Sequence, residues 1–320
     1  MHGFLSVLNS LNRHSRLLLA LGVFLGIGVP PLASWLNPFA VPAVLGCLVG
    51  ALLLLDWSGL GAQLRRPQII IALLCWQLLL SPLIAWWVGI QLNLSPTLQE
   101  LILLQCAAAP IGSAAVFLML IGLNGGMALL VSALAVLALP ATLTIIMAWL
   151  AQHTFDVGLG DFFIRACLMV LAPLGCAVLI RKLAGLDRIR RHGASIGGAN
   201  VALLIVFAIG VMDGVTQEII ARPQSAAILF MTAWIVAIIL HLSAFAAFSW
   251  AGTQVAYSAA VLSGNRNMGL MLAITAGLSS YEFQLYVGIA QIPMYCVPLL
   301  LAPLVRRSLS KEASISGKAL

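Results

Sequence analysis

Ionisable side chains are scarce in this sequence. Asp, Glu, Lys and Arg together make up 8% of the 320 residues, whereas 62% of the residues are hydrophobic. So few charges could not cover the surface of a water-soluble domain of this size. The apolar runs are continuous rather than alternating, which excludes an outer-membrane barrel. The sequence therefore predicts an all-α polytopic membrane protein whose main partner is the lipid bilayer.

The common catalytic and metal-binding patterns are also missing. The six cysteines lie inside apolar runs and share neither a metal-ligand spacing nor a disulfide framework. The sequence contains no His-Glu-x-x-His, no phosphate loop and no pair of acids within a span. The net charge of +7 comes from basic residues spread over short loops, which indicates a membrane topology rather than a nucleic-acid partner. We expect no enzyme activity, no metal, no cofactor and no nucleic-acid partner.

What the sequence does contain is a series of apolar runs that predicts ten transmembrane helices. The runs cover about residues 17–36, 39–57, 69–92, 99–123, 127–150, 162–183, 193–215, 225–250, 253–278 and 281–305. Because each half has five spans, an odd number, the second half would enter the membrane from the opposite side. Residues 1–150 and 151–320 would then be two inverted repeats, the plan of many secondary transporters.

The distribution of charge sets the predicted orientation. With the N-terminus inside, thirteen of the sixteen basic residues fall on the cytoplasmic side, and six of the nine acids fall on the other side. Cytoplasmic loops of membrane proteins carry the excess of Lys and Arg. We therefore expect both termini in the cytoplasm and a location in a bacterial inner membrane.

Two of the runs carry residues that interrupt a helix. The fourth run contains Ala109-Pro110-Ile111-Gly112-Ser113, and the ninth contains Ser263-Gly264-Asn265-Arg266-Asn267. Proline removes a backbone donor, and glycine lowers the cost of a bend. Broken helices at membrane depth are tolerated where they pack in protein or line a cavity. We expect helices 4 and 9 to be broken, with Ser113 and Asn267 as N-caps of the restarting halves.

The residues at the two breaks form the predicted substrate or ion site. If both broken helices cross near the midplane, their carbonyl ends attract cations and their amide ends attract anions. Gly112 and Gly264 let a ligand approach the backbone closely, and Asn265 and Asn267 can donate and accept hydrogen bonds. Pro110 belongs to the same site because it opens the first break.

Arg266 is the most informative residue at the breaks. A charge at membrane depth costs at least a few kcal/mol and usually marks a functional site. None of the nine acids lies at mid-span, so a substrate anion or the carbonyls of a broken helix must complement the guanidinium. Two interpretations stay open. Arg266 belongs to a substrate or gating site, or it is a structural pin that neutralises helix ends or reaches the nearer interface.

Three further polar residues inside spans are candidates for the same site. Gln77, five residues before Pro82, could reach the break of a neighbouring helix or form an ordinary helix–helix hydrogen bond. His241 could relay a proton, or it could be a neutral histidine bonded to a carbonyl. Gln291 is included because it is a polar residue within the last span.

These stretches resemble motifs of the bile acid:sodium symporter family. The stretch from Gln77 to Pro82 looks like the family's Gln-x-x-x-x-Pro, and Ala109-Pro-Ile-Gly-Ser-Ala114 is similar to its Cys-Pro-Gly-Gly-Thr-Ala. Gly264-Asn-Arg-Asn-Met-Gly-Leu270 resembles Gly-Met-Gln-Asn-Ser-Gly-Leu, and Leu240-His241 matches a Leu-His on the eighth span. The resemblance implies ten spans in two inverted repeats, with helices 4 and 9 broken and crossing. It also implies a core domain that moves against a panel of helices.

The departures from the family pattern concern its sodium ligands. Leu262 stands where the family has a glutamate, Ala115-Val116 replaces its Ser-Asn, and Arg266 replaces a glutamine. Sodium requires oxygen ligands, and these changes remove several of them, so bound sodium is not expected. The expected function is secondary active transport of a small organic anion, with Arg266 standing in for the coupling cation.

The alternatives are a sodium-coupled symporter of the same family, an efflux carrier of the auxin or anion type, and a transport-inactive receptor or partner subunit. The sequence sets no oligomeric state.

Overall fold

The structure, a computed structural model, describes residues 11, 15–55, 66–123, 125–150 and 158–316. Within these residues the regular secondary structure is helical, and the only β-type pairing is one isolated antiparallel bridge between Pro110 and Arg266. Continuous apolar runs favour helices in a membrane because a helix satisfies its own backbone hydrogen bonds. The predicted all-α class is confirmed for the described residues.

The helices follow one another with short connections. In chain order they are α1 (Ser15–Gly28), α2 (Pro30–Leu36), α3 (Ala40–Leu54), α4 (Pro67–Cys75), α5 (Ser81–Gln91), α6 (Pro96–Ala107), α7 (Ala114–Leu120), α8 (Gly126–Leu150), α9 (Leu159–Ala184), α10 (Leu186–Arg191), α11 (Gly193–Gly210), α12 (Val215–Ala221), α13 (Pro223–Phe248), α14 (Thr253–Gly264), α15 (Met268–Thr275) and α16 (Tyr281–Ser316). Two 3-10 turns cover Asn37–Phe39 and Ser249–Ala251, and a π-helical turn covers Trp76–Leu80.

Six helical stretches of the described chain are long and apolar enough to cross a membrane. They are Pro30–Leu54, Pro67–Gln91, Gly126–Ala148, Leu159–Ala184, Gly193–Ala221 and Pro223–Ala251. The chain therefore belongs in a membrane. The other four predicted spans correspond to shorter or interrupted helices or to the long helix α16, so the count of ten and the inverted repeat stay predictions.

The first break in the helical chain lies earlier than predicted. Helix α1 ends at Gly28, and a helical stretch that includes the 3-10 turn then runs from Pro30 to Leu54. A proline at the first position of a helix costs little, since the backbone N–H that it lacks would have no helical partner there. Pro38 likewise lies in the first turn of the 3-10 segment. The spans predicted at about 17–36 and 39–57 imply a chain turn at Asn37-Pro38. That turn is wrong, and the interruption lies at Val29.

The chain folds into two compact units built from interleaved segments. Unit 1 comprises Met1–Trp57, Met147–Met231 and Met268–Gln291, and unit 2 comprises Ser58–Ile146, Thr232–Asn267 and Ile292–Leu320. Both halves of the sequence contribute to each unit. The units are thus a different division from the predicted repeats 1–150 and 151–320, whose boundary stays a prediction.

Unit 1 is organised around α3, which packs against α9, α11 and α15. Helix α15 comes close to its neighbours at Gly269, where a Cβ atom would lie 2.7 Å from Val44 and 3.1 Å from Phe207. Small residues permit such close helix packing in membranes, where association depends on van der Waals contact. Gly269 therefore lets α15 pack closely against α3 and α11.

Unit 2 has an apolar core to which α4, α7, α8 and α14 contribute. Leu73, Leu118, Val131 and Val261 are all fully buried in it. Trp76 stands edge-on to Phe248 at the border of this core, with ring centroids 6.1 Å apart. The core holds the segments that carry both predicted breaks.

Candidate functional site

The two interruptions lie side by side in unit 2. Helix α6 ends at Ala107 and α7 begins at Ala114, while α14 ends at Gly264 and α15 begins at Met268. The backbone N–H of Ile111 donates to the Asn265 carbonyl at 2.9 Å, and the N–H of Asn267 donates to the Ala109 carbonyl at 2.8 Å. The crossover, as we call Ala109–Ile111 together with Asn265–Asn267, therefore joins the segments through their backbones.

Arg266 is buried at the crossover, with only 1% of its surface exposed. Its Nε donates to the Ser263 carbonyl at 2.7 Å, and Nη1 donates to the carbonyls of Gln77 at 2.9 Å and Ala108 at 2.8 Å. Nη2 donates to the Ser81 hydroxyl at 2.8 Å. Four of the five N–H groups of a guanidinium are thus used.

Two of the three carbonyls are available because they lie where helices end. Ser263 is in the last turn of α14, and Ala108 follows the last residue of α6. The last four carbonyls of a helix have no N–H partner within it and carry a partial negative charge. The breaks thus supply the groups that bind the cation.

The third carbonyl, of Gln77, is freed by the π-helical turn. In that turn the N–H of Ser81 donates to the Trp76 carbonyl, one residue further back than in an α-helix. The next residue, Pro82, has no N–H to donate. The Gln77 carbonyl is therefore left without a helical partner and accepts from Arg266. Single π-turns in α-helices often mark functional positions.

No carboxylate pairs with Arg266 in the described part of the chain. An isolated charge at this depth would be very costly. Backbone carbonyls from three segments offset that cost through charge-assisted hydrogen bonds. The sequence left a substrate anion and backbone carbonyls as alternative partners for Arg266. In the structure Arg266 contacts the carbonyls.

Sequence reasoning missed two side chains that support the guanidinium. Ser81 accepts from Nη2, and its own hydroxyl lies 3.2 Å from the carbonyls of both Gln77 and Cys106. The indole N–H of Trp76 donates to the Ser263 hydroxyl at 2.9 Å. The only available signal for Ser81 was its position between Gln77 and Pro82.

His241 packs directly on the second break. A Cβ atom added to Gly264 would lie 1.7 Å from Cε1 of the His241 ring, so only glycine fits there. His241 Nδ1 lies 2.7 Å from the Ala237 carbonyl, which requires a hydrogen on Nδ1. The structure therefore has the carbonyl-bonded histidine of the two interpretations, and Gly264 serves ring packing rather than an open ligand approach.

The side-chain amides of Gln77 and Asn265 are buried without partners. Both residues are 0% exposed, and neither the nitrogen nor the oxygen of either amide forms a hydrogen bond to the described residues. His241 Nε2 is also buried and has no hydrogen-bond partner among the described residues. Buried polar groups normally have a partner in the protein, in water or in a ligand. These atoms are therefore unused binding groups at the crossover: Asn265 belongs to it, the Gln77 carbonyl binds Arg266, and the His241 ring packs on Gly264.

The remaining predicted residues have different positions. Pro110 is buried and forms the bridge with Arg266, and Asn267 joins through its backbone. Gly112 has open space where a Cβ would be. Ser113 is at the N-cap position of α7, but its hydroxyl makes no capping bond, so that part of the prediction is wrong. Gln291 belongs to unit 1, where its Nε2 donates to the Val287 carbonyl of its own helix.

The arrangement can hold a permanent positive charge inside an apolar unit without an acidic partner.

No family model matches this chain, and no curated protein matches it.

Proposed function

We propose that this protein is a secondary active transporter that moves a small organic anion across a bacterial inner membrane by alternating access. In this proposal ten spans form two inverted repeats, both termini are cytoplasmic, and the chain is a divergent member of the bile acid:sodium symporter family. The interrupted, paired segments support the proposal because broken helices at membrane depth are typical of transporter binding sites.

The observation that carries the proposal is the binding of the Arg266 guanidinium by the carbonyls of Ser263, Gln77 and Ala108. Carbonyl dipoles reduce the cost of burying the cation, but they leave its full unit of charge in place. In a medium of low dielectric constant that charge acts over several ångströms. An anion therefore gains energy from approaching the crossover, whereas a second cation loses it.

The same contacts argue against a sodium ion at the crossover. Sodium would need several oxygen ligands, and Arg266 already uses the three carbonyls. Arg266 therefore takes the place of a coupling cation, and transport should not depend on sodium. The unpaired amide oxygens of Gln77 and Asn265 are the one observation that favours a sodium-coupled symporter, so the test must vary sodium explicitly.

The first measurement is the melting temperature of the purified protein in detergent, with sodium or N-methylglucamine as the cation and a panel of small carboxylates and sulfonates. A ligand that binds the folded state raises the melting temperature by mass action. We expect a stabilising organic anion whose effect is the same in both cations. The best anion is then tested for uptake into proteoliposomes under the same two conditions.

Three variants test whether anion binding depends on the charge of Arg266. Arg266→Gln removes the charge, Arg266→Lys keeps it with fewer donors, and Arg222→Gln removes an arginine whose side chain is 58% exposed. Anion binding should be lost in Arg266→Gln, be weakened in Arg266→Lys and persist in Arg222→Gln. Strict sodium dependence would instead support the symporter. Binding without flux would support a receptor or partner subunit.

A further inference from the structure

Unit 1 contains a cavity that none of the sequence motifs indicates. Its volume is about 440 Å³, within the range typical of small-molecule sites. The polar side chains that line it are Asn37, Asp213, Gln217, Tyr281 and Gln284, and the rest of the wall is apolar or glycine. All the lining residues belong to unit 1, so the cavity is separate from the crossover.

Asp213 is the only charged side chain among the lining residues, and no Lys, Arg or His is among them. The carboxylate is half-buried, and its Oδ1 accepts a hydrogen bond from the Ser34 hydroxyl at 2.5 Å. That contact fixes the orientation of the carboxylate and leaves Oδ2 for a ligand. The cavity therefore offers a fixed negative charge.

Among the described residues no arginine forms an ion pair with Asp213. Arg222 is paired with Glu218 at 2.7 Å, and Arg165 donates through Nη2 to the Ala276 carbonyl at 2.5 Å. Asp213 thus supplies the charge on the cavity wall, and a carboxylate there favours a cation.

The backbone at Gly214 places an aromatic ring beside the acid. Gly214 has a φ of +83°, and a Cβ atom there would lie 2.6 Å from the Tyr281 hydroxyl oxygen. The phenol therefore packs on the residue that directly follows Asp213. The face of an aromatic ring attracts a cation, so Tyr281 can add to the attraction of the Asp213 carboxylate.

The amide groups complete a set of acceptors. Asn37 uses its Nδ2 to donate to the Gly210 carbonyl at 3.2 Å, which leaves its oxygen as the free end. Gln217 and Gln284 are exposed, so their amides can turn either end toward a ligand. A primary ammonium group has three N–H donors, and Asp213 with these amides can accept all of them.

We propose that this cavity binds a small organic cation whose ammonium group pairs with Asp213. The proposal does not depend on anion transport through the crossover, since the two sites lie in different units. The ligand could be a second transported solute or an effector, and both would be recognised by the same chemistry.

The test is isothermal titration of the purified full-length protein in detergent with n-butylammonium chloride. Sodium chloride at equal ionic strength and n-butanol serve as probes of charge alone and of the apolar chain alone. We expect saturable binding of butylammonium and no comparable binding of sodium or butanol. Equal binding of butanol, equal binding of sodium, or no binding of butylammonium would overturn the proposal.

Asp213→Asn tests the acid directly. The replacement keeps an oxygen that can accept from Ser34, so the fold should be retained. A hydrogen bond to a charged group is worth about 1.5–3 kcal/mol, which corresponds to a tenfold to hundredfold loss of affinity. Asp161→Asn is the matched control, because Asp161 is an exposed acid in the first turn of α9 and does not line the cavity.

Gln284→Glu keeps the proposal testable if Asp213→Asn fails to fold. Gln284 is exposed in the first turn of α16, where an added acid is favourable to the helix. A second carboxylate should raise the affinity for butylammonium several-fold and leave the response to butanol unchanged. Unaltered affinity in both variants would contradict the assignment. Since no transport is measured, a failure here would leave the proposed function standing, and the reverse also holds.

Discussion

The crossover in unit 2 and the cavity in unit 1 hold opposite charges in different ways. Arg266 is 1% exposed and bonded to three backbone carbonyls and one hydroxyl. Asp213 is half-buried in an open cavity lined by side-chain amides. Helix ends offer fixed dipoles that hold a permanent charge in place, whereas side chains around a cavity leave a charge available to a ligand. The charge of Arg266 is therefore part of what stabilises the fold, whereas Asp213 can be replaced with the fold retained.

The largest expected effect follows from removing the built-in charge. Arg266→Gln leaves three buried carbonyls without their donor, and breaking one partner of a buried charged network typically costs about 3–5 kcal/mol. We expect a large fall in the melting temperature in detergent and poor recovery of folded protein. Arg222→Gln should cost less, about 1.5 kcal/mol, because it removes one charge-assisted hydrogen bond of the buried Glu218 carboxylate while the Arg222 side chain itself is 58% exposed. Equal stability of the two variants would contradict a structural contribution from Arg266.

The next effect concerns the packing of His241 on the second break. Gly264→Ala would place a methyl group inside the imidazole ring, and overpacking of this kind costs about 1–3 kcal/mol or more. Adding His241→Ala should restore much of the lost stability, because it removes the clash. The two single variants and the double variant form a thermodynamic cycle measured by unfolding in detergent. Simple additivity of the two changes would show that the ring and the break do not interact as described.

A smaller effect is expected from the hydroxyl that supports the guanidinium. Ser81→Ala removes one charge-assisted hydrogen bond of Arg266, with an expected cost of about 1.5 kcal/mol. Ser132→Ala is a matched control, because Ser132 is buried in the same unit and its hydroxyl has no partner among the described residues. The control should be neutral or slightly stabilising. A larger loss in Ser132→Ala than in Ser81→Ala would reverse the comparison.

The prediction of the breaks succeeded because their signal is local. A proline at 110 and a charge at 266 within apolar runs are visible without knowledge of any neighbour, and both mark true interruptions. The turn at Asn37-Pro38 failed for the opposite reason. Proline is compatible with the start of a helix as well as with a loop, so its meaning depends on where the helix begins.

The partners of Arg266 could be predicted only as a class. The sequence left substrate anions and carbonyls as alternatives, since every residue has a carbonyl and residue type does not reveal which ones are free. The π-helical turn decides that Gln77 contributes its backbone, while its side-chain amide stays unpaired. Asp213 gave no signal of a site, because it was one more acid near the predicted end of a span.

The sequence by itself determined that this protein is helical and belongs in a membrane, where two helices break and a charge lies at one break. Those properties follow from hydropathy, proline and charge, which act within one segment. Only the tertiary structure decided which carbonyls bind Arg266, that His241 requires Gly264, and that Asp213 lines a cavity with Tyr281. Each of these depends on segments far apart in the chain meeting within hydrogen-bonding or van der Waals distance, and the residue pattern of one segment does not specify that.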